Sequence, residues 1–151
     1  MRLVGSGWRL STIWRTQSGT YLTIGTGVDR SLDGTSAGSQ RPHQILENPY
    51  GDGSLTTYLN PKAFAQPALG TIGTMGRGNV LGPGFWSLDA ALSRSFRLGE
   101  GDRLEVRAEA FNVPNSVRRG NPNTNLNSSQ FGQITSAGDP RIMQFALKYV
   151  F

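Results

Sequence analysis

The stretch RLEVRAEAFNV, residues 103–113, alternates apolar and charged side chains over most of its length. Positions 104, 106, 108 and 110 hold Leu, Val, Ala and Ala, whereas the odd positions from 103 to 109 hold Arg or Glu. Successive side chains of a β-strand point to opposite faces, so this pattern predicts a strand with one apolar face and one charged face. Taken alone, the stretch leaves open whether the charged face meets bulk water or a polar interior.

Three other segments alternate in the same way. The last eleven residues, RIMQFALKYVF, carry apolar side chains at every odd position from Met143 to Phe151. The segments are about ten residues long or longer, which suits a tilted strand crossing a bilayer, whereas strands in soluble proteins usually have about five or six residues. We therefore predict an all-β fold with four long antiparallel strands, at residues 6–17, 85–97, 103–113 and 141–151, or with five strands if residues 20–27 form a separate one after SGT at 18–20.

Aromatic side chains lie near the ends of these predicted strands, as in the girdles at the two interfaces of a bilayer. This placement favours a membrane barrel with its apolar faces toward lipid and its charged faces toward the lumen. The predicted lipid-facing or girdle side chains are Trp8, Trp14, Trp86, Leu88, Phe96, Leu104 and Val106. The predicted lumen-facing charged side chains are Asp89, Arg97, Arg103, Glu105, Arg107 and Glu109.

The composition agrees with β structure and long loops. Apolar residues make up 36% of the 151 residues, beside 20 Gly and 8 Pro. The formal net charge of +5 comes mainly from arginines spread along the chain, so we expect lumen or surface charge and no nucleic-acid partner. Because the chain has no cysteine, it has neither a disulfide framework nor a thiolate nucleophile.

The connections between the predicted strands differ greatly in length. LGEGD, residues 98–102, is short enough for a tight hairpin, whereas 25–84 and 114–140 are long and rich in Gly, Pro, Asn and Ser. Outer-membrane barrels combine short periplasmic turns with long extracellular loops. We therefore predict that 25–84 and 114–140 are outer loops.

No group of residues predicts catalysis. His43 is the only histidine, and without a cysteine or a second histidine neither a metal site nor a Ser–His–acid triad is supported. We expect no catalytic, cofactor-binding or metal-binding residues, no cofactor and no enzymatic activity. Arg118 and Arg119 are interpreted as a solvated pair, and the asparagines of NPNTNLNSS as turn formers.

Four strands cannot form a membrane barrel alone, because a flat sheet leaves two edges of unpaired backbone groups. About eight strands make the smallest common barrel. We expect an open sheet if the chain is alone, and a chain that is the C-terminal piece of a larger barrel, cut at Met1 and not at Phe151. The N-terminal MRLVGSGWRLSTIW also lacks the uninterrupted apolar region of a signal peptide.

Two alternatives remain open. A soluble β-sandwich, such as a carbohydrate-binding or adhesion module with its site in the Asn-rich loop, would pack the apolar faces against each other. A small complete barrel of about eight strands would need several more strands from residues 25–84, which Gly and Pro interrupt throughout.

The runs RGNVLGPGFWSLDAALSRSFRL, LEVRAEAFNVPN and GNPNTNLNSSQFGQITSAGDPRIMQFALKYVF, with the earlier WRTQSGTYLT, resemble the end of a TonB-dependent outer-membrane receptor. The resemblance is closest to the Oar-like group, whose members often carry a carboxypeptidase-regulatory-like domain. It covers nearly the whole chain and is most specific over residues 77–151. It implies that residues 6–24, 85–97, 103–113 and 141–151 are the last four strands of the barrel. In such receptors a signal peptide, a TonB box and a plug domain precede a barrel of about 22 strands.

The resemblance implies the outer membrane of a Gram-negative bacterium as the location and active uptake of a ligand as the function of the whole receptor. The implied partners are outer-membrane lipid, the remaining barrel and plug, the barrel-assembly machinery, and TonB through upstream parts. It also implies that the assembly machinery recognises the last strand by β-augmentation. The implied assembly signal is Met143, Phe145, Leu147, Tyr149 and Phe151.

Overall fold

The computed structural model describes residues 6–35 and 39–151, which form two compact units. The sheet unit contains the described residues up to Gln17, together with Phe85–Arg118 and Gly138–Phe151. The loop unit contains the described residues of Ser18–Gly84 and of Arg119–Ala137.

The regular secondary structure of the described residues consists of β-strands and one 3-10 turn at Pro61–Ala63. The strands are β1 (Trp8–Gln17), β2 (Tyr21–Leu22), β3 (His43–Gln44), β4 (Phe64–Ala65), β5 (Val80–Leu81), β6 (Phe85–Arg97), β7 (Arg103–Phe111) and β8 (Ile142–Val150). The four long strands form one open antiparallel sheet in the order β1-β6-β7-β8. This confirms the predicted all-β fold and its four-stranded open sheet. Within the described residues, no helix has the length and apolar character needed to span a membrane.

The long strands begin and end close to the predicted bounds, with one clear difference. Residues 6–24 do not form a single strand, because β1 ends at Gln17 and β2 pairs with β5 in a separate sheet. The chain leaves the first sheet at Gly19, where a Cβ atom would lie 1.7 Å from the carbonyl oxygen of Gly82. Only glycine permits this close approach of the two backbones.

The end of β7 has a similar local cause. Asn112 has a φ of 54°, in the left-handed region, so the backbone turns out of the extended conformation directly after Phe111. At the other end of β7 the chain makes the predicted hairpin, in which the Leu98 N–H donates to the Asp102 carbonyl at 3.0 Å. Since the strands are antiparallel, both long connections, after β1 and after β7, leave from the end of the sheet opposite this hairpin.

The loop unit has its own apolar core. Ile24, Leu59 and Val80 are fully buried, and the side chains of Phe64 and Phe131 pack edge to face with ring centroids 5.4 Å apart. Ala63 and Met75 complete the buried cluster. The long connections are therefore packed polypeptide with a hydrophobic interior, which the sequence pattern did not predict.

Backbone hydrogen bonds join the two connections within the loop unit. The Gly25 N–H donates to the Thr124 carbonyl at 3.0 Å, and the Leu126 N–H donates back to the Gly25 carbonyl at 2.9 Å. Further along, the Leu59 N–H donates to the Gly132 carbonyl at 3.2 Å. Residues more than sixty positions apart in sequence thus pair directly, which holds the segment 119–137 against 18–84.

Neither structural alternative matches this arrangement. A sandwich requires two sheets packed face to face, whereas the sheet unit contains a single four-stranded layer. A small complete barrel requires additional long strands from residues 25–84, whereas the strands in the described part of that range have two residues each.

We predict that Leu59→Ala destabilises the loop unit by about 2–5 kcal/mol, because it leaves a cavity in a fully buried core. Hydrogen exchange followed by mass spectrometry should show faster exchange at the backbone amides of residues 55–65. Ile72→Ala is the matched control, since Ile72 is 75% exposed. Equal exchange in the two variants would contradict the assignment of this core.

Candidate functional site: the two faces of the sheet

The pairing register keeps the alternation in step across all four long strands. Trp14 lies opposite Leu88, Leu92 lies opposite Ala108, and Ala108 in turn lies opposite Phe145. Directly opposed residues share a face of the sheet, so the apolar positions form one continuous surface, here called the apolar face. Its members are Trp8, Leu10, Thr12, Trp14, Thr16, Trp86, Leu88, Ala90, Leu92, Arg94, Phe96, Leu104, Val106, Ala108, Ala110, Met143, Phe145, Leu147 and Tyr149.

The register also shows where the predicted site residues lie. Every predicted lipid-facing or girdle residue is on the apolar face, together with the predicted assembly residues from Met143 to Tyr149. Phe151 follows the last residue of β8 and is 95% exposed. All the predicted lumen-facing charged residues lie on the opposite surface, here called the polar face. That the apolar face meets lipid and the polar face the lumen stays a prediction at this point.

Aromatic rings mark the end of the apolar face from which the long connections leave. Trp14 and Trp86 stack there, with ring centroids 5.3 Å apart and planes inclined by 16°. Farther along the face, Phe145 and Leu147 are 76% and 70% exposed. The face thus presents large apolar side chains that the sheet unit itself does not cover.

The hairpin end of the apolar face combines aromatic rings with one cation. The Cζ atom of Arg94 lies over the ring of Trp8, 5.0 Å from its centroid, and over the ring of Phe96 at 4.6 Å. Tyr149 and Phe151 lie near each other, with centroids 6.2 Å apart. In the sequence, Arg94 interrupts the apolar residues at the even positions of 86–96. Because it occupies one of these even positions, the alternation already placed it on the same face as Trp86 and Phe96.

Two ion pairs involve charged side chains of the polar face. Arg107 pairs with Glu109 along β7, at 2.7 Å between Nη2 and Oε1. Asp89 lies 3.7 Å from Arg15 of the neighbouring strand and also accepts a hydrogen bond from the Asn112 N–H at 2.9 Å. In contrast, Arg97 lies directly opposite Arg103, a like-charge pair that destabilises the hairpin end of an isolated sheet.

A cavity of about 310 Å³ opens on the polar face, at the end from which the long connections leave. Phe85 and Phe111 supply aromatic surface, and the Arg118 Cζ atom lies 4.1 Å from the Phe85 ring centroid. Asp139 and the Arg15–Asp89 pair add charge of both signs. Ser87, Asn112 and Ser116 also line it, so most of the lining side chains are polar or charged. The sequence did not predict it, because its residues come from segments far apart in the chain.

The segment FNVPNS, residues 111–116, closes the same end of the sheet. The Asn112 amide donates to the Ser116 carbonyl and accepts from the Ser116 N–H, both at 3.0 Å. The Ser116 hydroxyl donates to the Trp86 carbonyl at 3.0 Å, which ties the turn to β6. Asn115, which also has a positive φ, accepts from the Arg141 N–H at 3.0 Å. The two asparagines therefore connect the ends of three strands.

Asparagines of the loop unit also act in turns. The Asn125 N–H donates to the side chain of Asn123 at 2.9 Å, and the Asn127 N–H donates to the side chain of Asn125 at 3.0 Å. This is the local bonding that the turn interpretation predicted. Arg119 is not simply solvated, because its Nη1 donates to the Gly53 carbonyl at 2.9 Å.

Several polar side chains of the loop unit hydrogen-bond within the turns of that unit. The His43 Nδ1 accepts from the Thr74 N–H at 3.3 Å. Across residues 6–35 and 39–151, no three His, Cys, Asp or Glu side chains are grouped to hold a metal ion.

One exposed carboxylate of the loop unit has a strongly shifted pKa. Hydrogen bonds from the Thr57 hydroxyl and the Ser54 N–H stabilise the ionised form of Asp52 and lower its pKa from 3.8 to about 2. Ser54 also contacts Thr57, at 2.8 Å between the two hydroxyl oxygens. The carboxylate therefore organises the turn between residues 52 and 57.

An open antiparallel sheet with one apolar and one charged face has the features of barrel wall. The chain belongs to the outer membrane beta barrel domain family, whose model matches residues 1–144. Membership places the chain in the outer membrane, as part of a barrel wall. No curated protein and no solved structure matches it.

We predict that Asn112→Ala destabilises the sheet unit more than Asn112→Gly does. Both changes remove the side-chain bonds to Ser116, but only alanine places a Cβ atom at a φ of 54°. That conformation costs about 1–2 kcal/mol for a residue other than glycine. Urea unfolding in detergent micelles, followed by tryptophan fluorescence, measures the difference. Equal midpoints for the two variants would mean that the backbone conformation carries no cost.

We predict that Thr57→Val raises the pKa of Asp52 from about 2 toward 3.8, because it removes the largest cause of the shift. The pKa is lowered in the folded state, so the stabilisation is present above pH 3.8 and is lost as the pH falls through about 2. Carbon-13 NMR of the Asp52 carboxyl group during a pH titration measures both midpoints. Thr71→Val, which alters a different turn, should leave the titration of Asp52 unchanged. A shifted Asp52 pKa in this control would show that the shift does not depend on the Thr57 hydroxyl.

Proposed function

We propose that this chain forms wall strands of a TonB-dependent outer-membrane receptor that takes up a ligand actively. The proposal places the apolar face of β1, β6, β7 and β8 against lipid and the polar face toward the lumen. It joins the family membership to the resemblance of residues 77–151 to the C-terminal part of such receptors.

The continuous apolar face is the observation that carries this proposal. In water, a surface holding Trp14, Phe145 and Leu147 at more than half exposure would favour aggregation. In lipid the same surface is favourable, provided that further strands pair with the free edges of β1 and β8. The remaining barrel supplies those strands.

The polar face supports a transport path. It carries charged side chains, and a barrel lumen accommodates these because it holds water or a plug domain. The cavity beside Phe85 and Arg118 offers one place along this path for a ligand with aromatic or charged groups. Arg97 and Arg103, which repel each other in the isolated sheet, suit an acidic group of the plug.

In this proposal the chain is structural and has no enzymatic activity. Its partners are outer-membrane lipid, the remaining barrel and plug, the barrel-assembly machinery at Met143 to Phe151, and TonB through upstream parts of a Gram-negative receptor. The location of β8 at an edge of the sheet supports the assembly role, because an edge strand can add to another sheet through main-chain hydrogen bonds.

Single cysteines test the assignment of the two faces, since the chain has none of its own. Val106→Cys and Arg107→Cys place a thiol on opposite faces of β7. In outer membranes, a water-soluble maleimide should label position 107 faster than position 106 until detergent is added. Gly99→Cys, in the hairpin, controls for access of the reagent. Labelling of position 106 as fast as position 107 would overturn the lipid assignment.

A second experiment tests the transport part separately. The protein that carries this chain is isolated from cross-linked cells of its host, and bound TonB is detected with an antibody. We expect TonB to be recovered with the unaltered protein and to be lost when the TonB box of the same protein is deleted. If no TonB is recovered, the receptor proposal fails even where the cysteine experiment supports the barrel wall.

A further inference from the structure

Arg94 has an unusual position on the apolar face. Its register partners are Trp8 in β1 and Val106 in β7, and both belong to that face. Among the described strand residues of the apolar face, Arg94 is the single charged side chain. A charge on the lipid side of a barrel is costly at the centre of the bilayer and tolerated near its interfaces. The position of Arg94 along the strand therefore decides whether it fits.

Distances along β6 place Arg94 close to an interface. Trp86 and Phe96 are ten residues apart in β6, which at roughly 3.3 Å per residue gives about 33 Å along the strand. A tilt of about 40° reduces this to about 25 Å, the height of the apolar band of a barrel. Trp86 and Phe96 thus mark the two interfaces, and Arg94 is two residues inside the one beside the hairpin.

Aromatic contacts direct the side chain toward that interface. The Arg94 Cζ atom lies 4.6 Å from the ring centroid of Phe96, which is nearer the hairpin, and 5.0 Å from that of Trp8. Long cationic side chains reach in this way from an apolar surface to the polar layer of a membrane. The two rings support the guanidinium where lipid headgroups begin.

We propose that Arg94 binds the phosphate group of a membrane phospholipid at the hairpin end of the apolar face. A guanidinium presents paired N–H donors that match phosphate oxygens, which makes arginine suited to this role. The proposal rests on the barrel-wall assignment and on the apolar face meeting lipid; it does not depend on TonB.

The charges around this position favour an anion. The described strands place no acidic side chain on the apolar face. Glu105 belongs to the polar face, across from Lys148, and Glu100 and Asp102 lie in or next to the hairpin turn. Within the described strands, the charged side chain of the apolar face is therefore a cation.

Native mass spectrometry tests the proposal on the protein that carries this chain, extracted from outer membranes in a mild detergent. The probes are phosphatidylglycerol and a diacylglycerol with the same acyl chains but no phosphate. We expect Arg94→Gln to weaken phosphatidylglycerol binding by about tenfold, the loss of one charge-assisted hydrogen bond, and Arg94→Lys to weaken it less. Diacylglycerol binding should be equal in all variants.

Arg97→Gln is the matched control, because it removes a guanidinium from the same strand but from the polar face. It should retain phosphatidylglycerol as the unaltered protein does. Unchanged lipid binding in Arg94→Gln, or an equal loss in Arg97→Gln, would overturn the proposal.

A second measurement needs no change at Arg94. Within this chain, the variant Trp14→Phe, Trp86→Phe keeps one tryptophan, Trp8, whose ring lies next to the Arg94 guanidinium. Subtracting the signal of a variant that also carries Trp8→Phe isolates the contribution of Trp8 in the larger protein. Phospholipids brominated near the headgroup should quench the fluorescence of Trp8 more than phospholipids brominated near the chain ends. The reverse order would place Arg94 deep in the hydrocarbon and overturn the proposal. This outcome leaves the TonB experiment unaffected.

Discussion

The pairing register of the four long strands is the constraint on which the rest of the sheet unit depends. A shift of one residue in any pairing would move a whole set of alternate side chains to the other face. Trp14 would then leave the surface it shares with Leu88, and the apolar face would be broken by charge. Because every pairing keeps the same phase, four separate patterns become one apolar surface and one polar surface. Both the membrane assignment and the proposed lumen follow from that phase.

Local backbone features lie at the ends of two of the long strands. Gly19 and Gly82 approach each other closely just after β1 ends, and Asn112, which is in the left-handed conformation, directly follows β7. The hydrogen bonds of Asn112 and Ser116 then connect the strand ends to one another. In the other unit, long-range bonds such as Gly25 to Thr124 make packed structure out of segments that carry little regular secondary structure. The long strands thus form a single sheet with two faces, whereas the long connections form a unit with a buried apolar core.

The strands were predictable because a period of two residues is a local signal that needs no partner. The prediction of 85–97 agrees with β6 throughout, and the hairpin at 98–102 was recognisable from its glycines. The core of the loop unit was not predictable, since Ile24, Leu59 and Phe131 have no common spacing and meet only in three dimensions. The same holds for the cavity at Phe85 and Arg118, where local sequence suggested only a solvated arginine. For Arg94, the sequence pattern predicted which face of the sheet it lies on, but it did not predict the contacts with the rings of Trp8 and Phe96.

By itself, the sequence determined the class of secondary structure, the length of the long strands and the sorting of their side chains into two sets. These follow from alternation, which is a property of one strand. Only the tertiary structure decided that the apolar sets join into one face, that the two long connections form a unit with its own core, and that Arg94 lies between Trp8 and Phe96. These depend on which residues meet across large separations in sequence, and that is set by register and packing rather than by any local pattern.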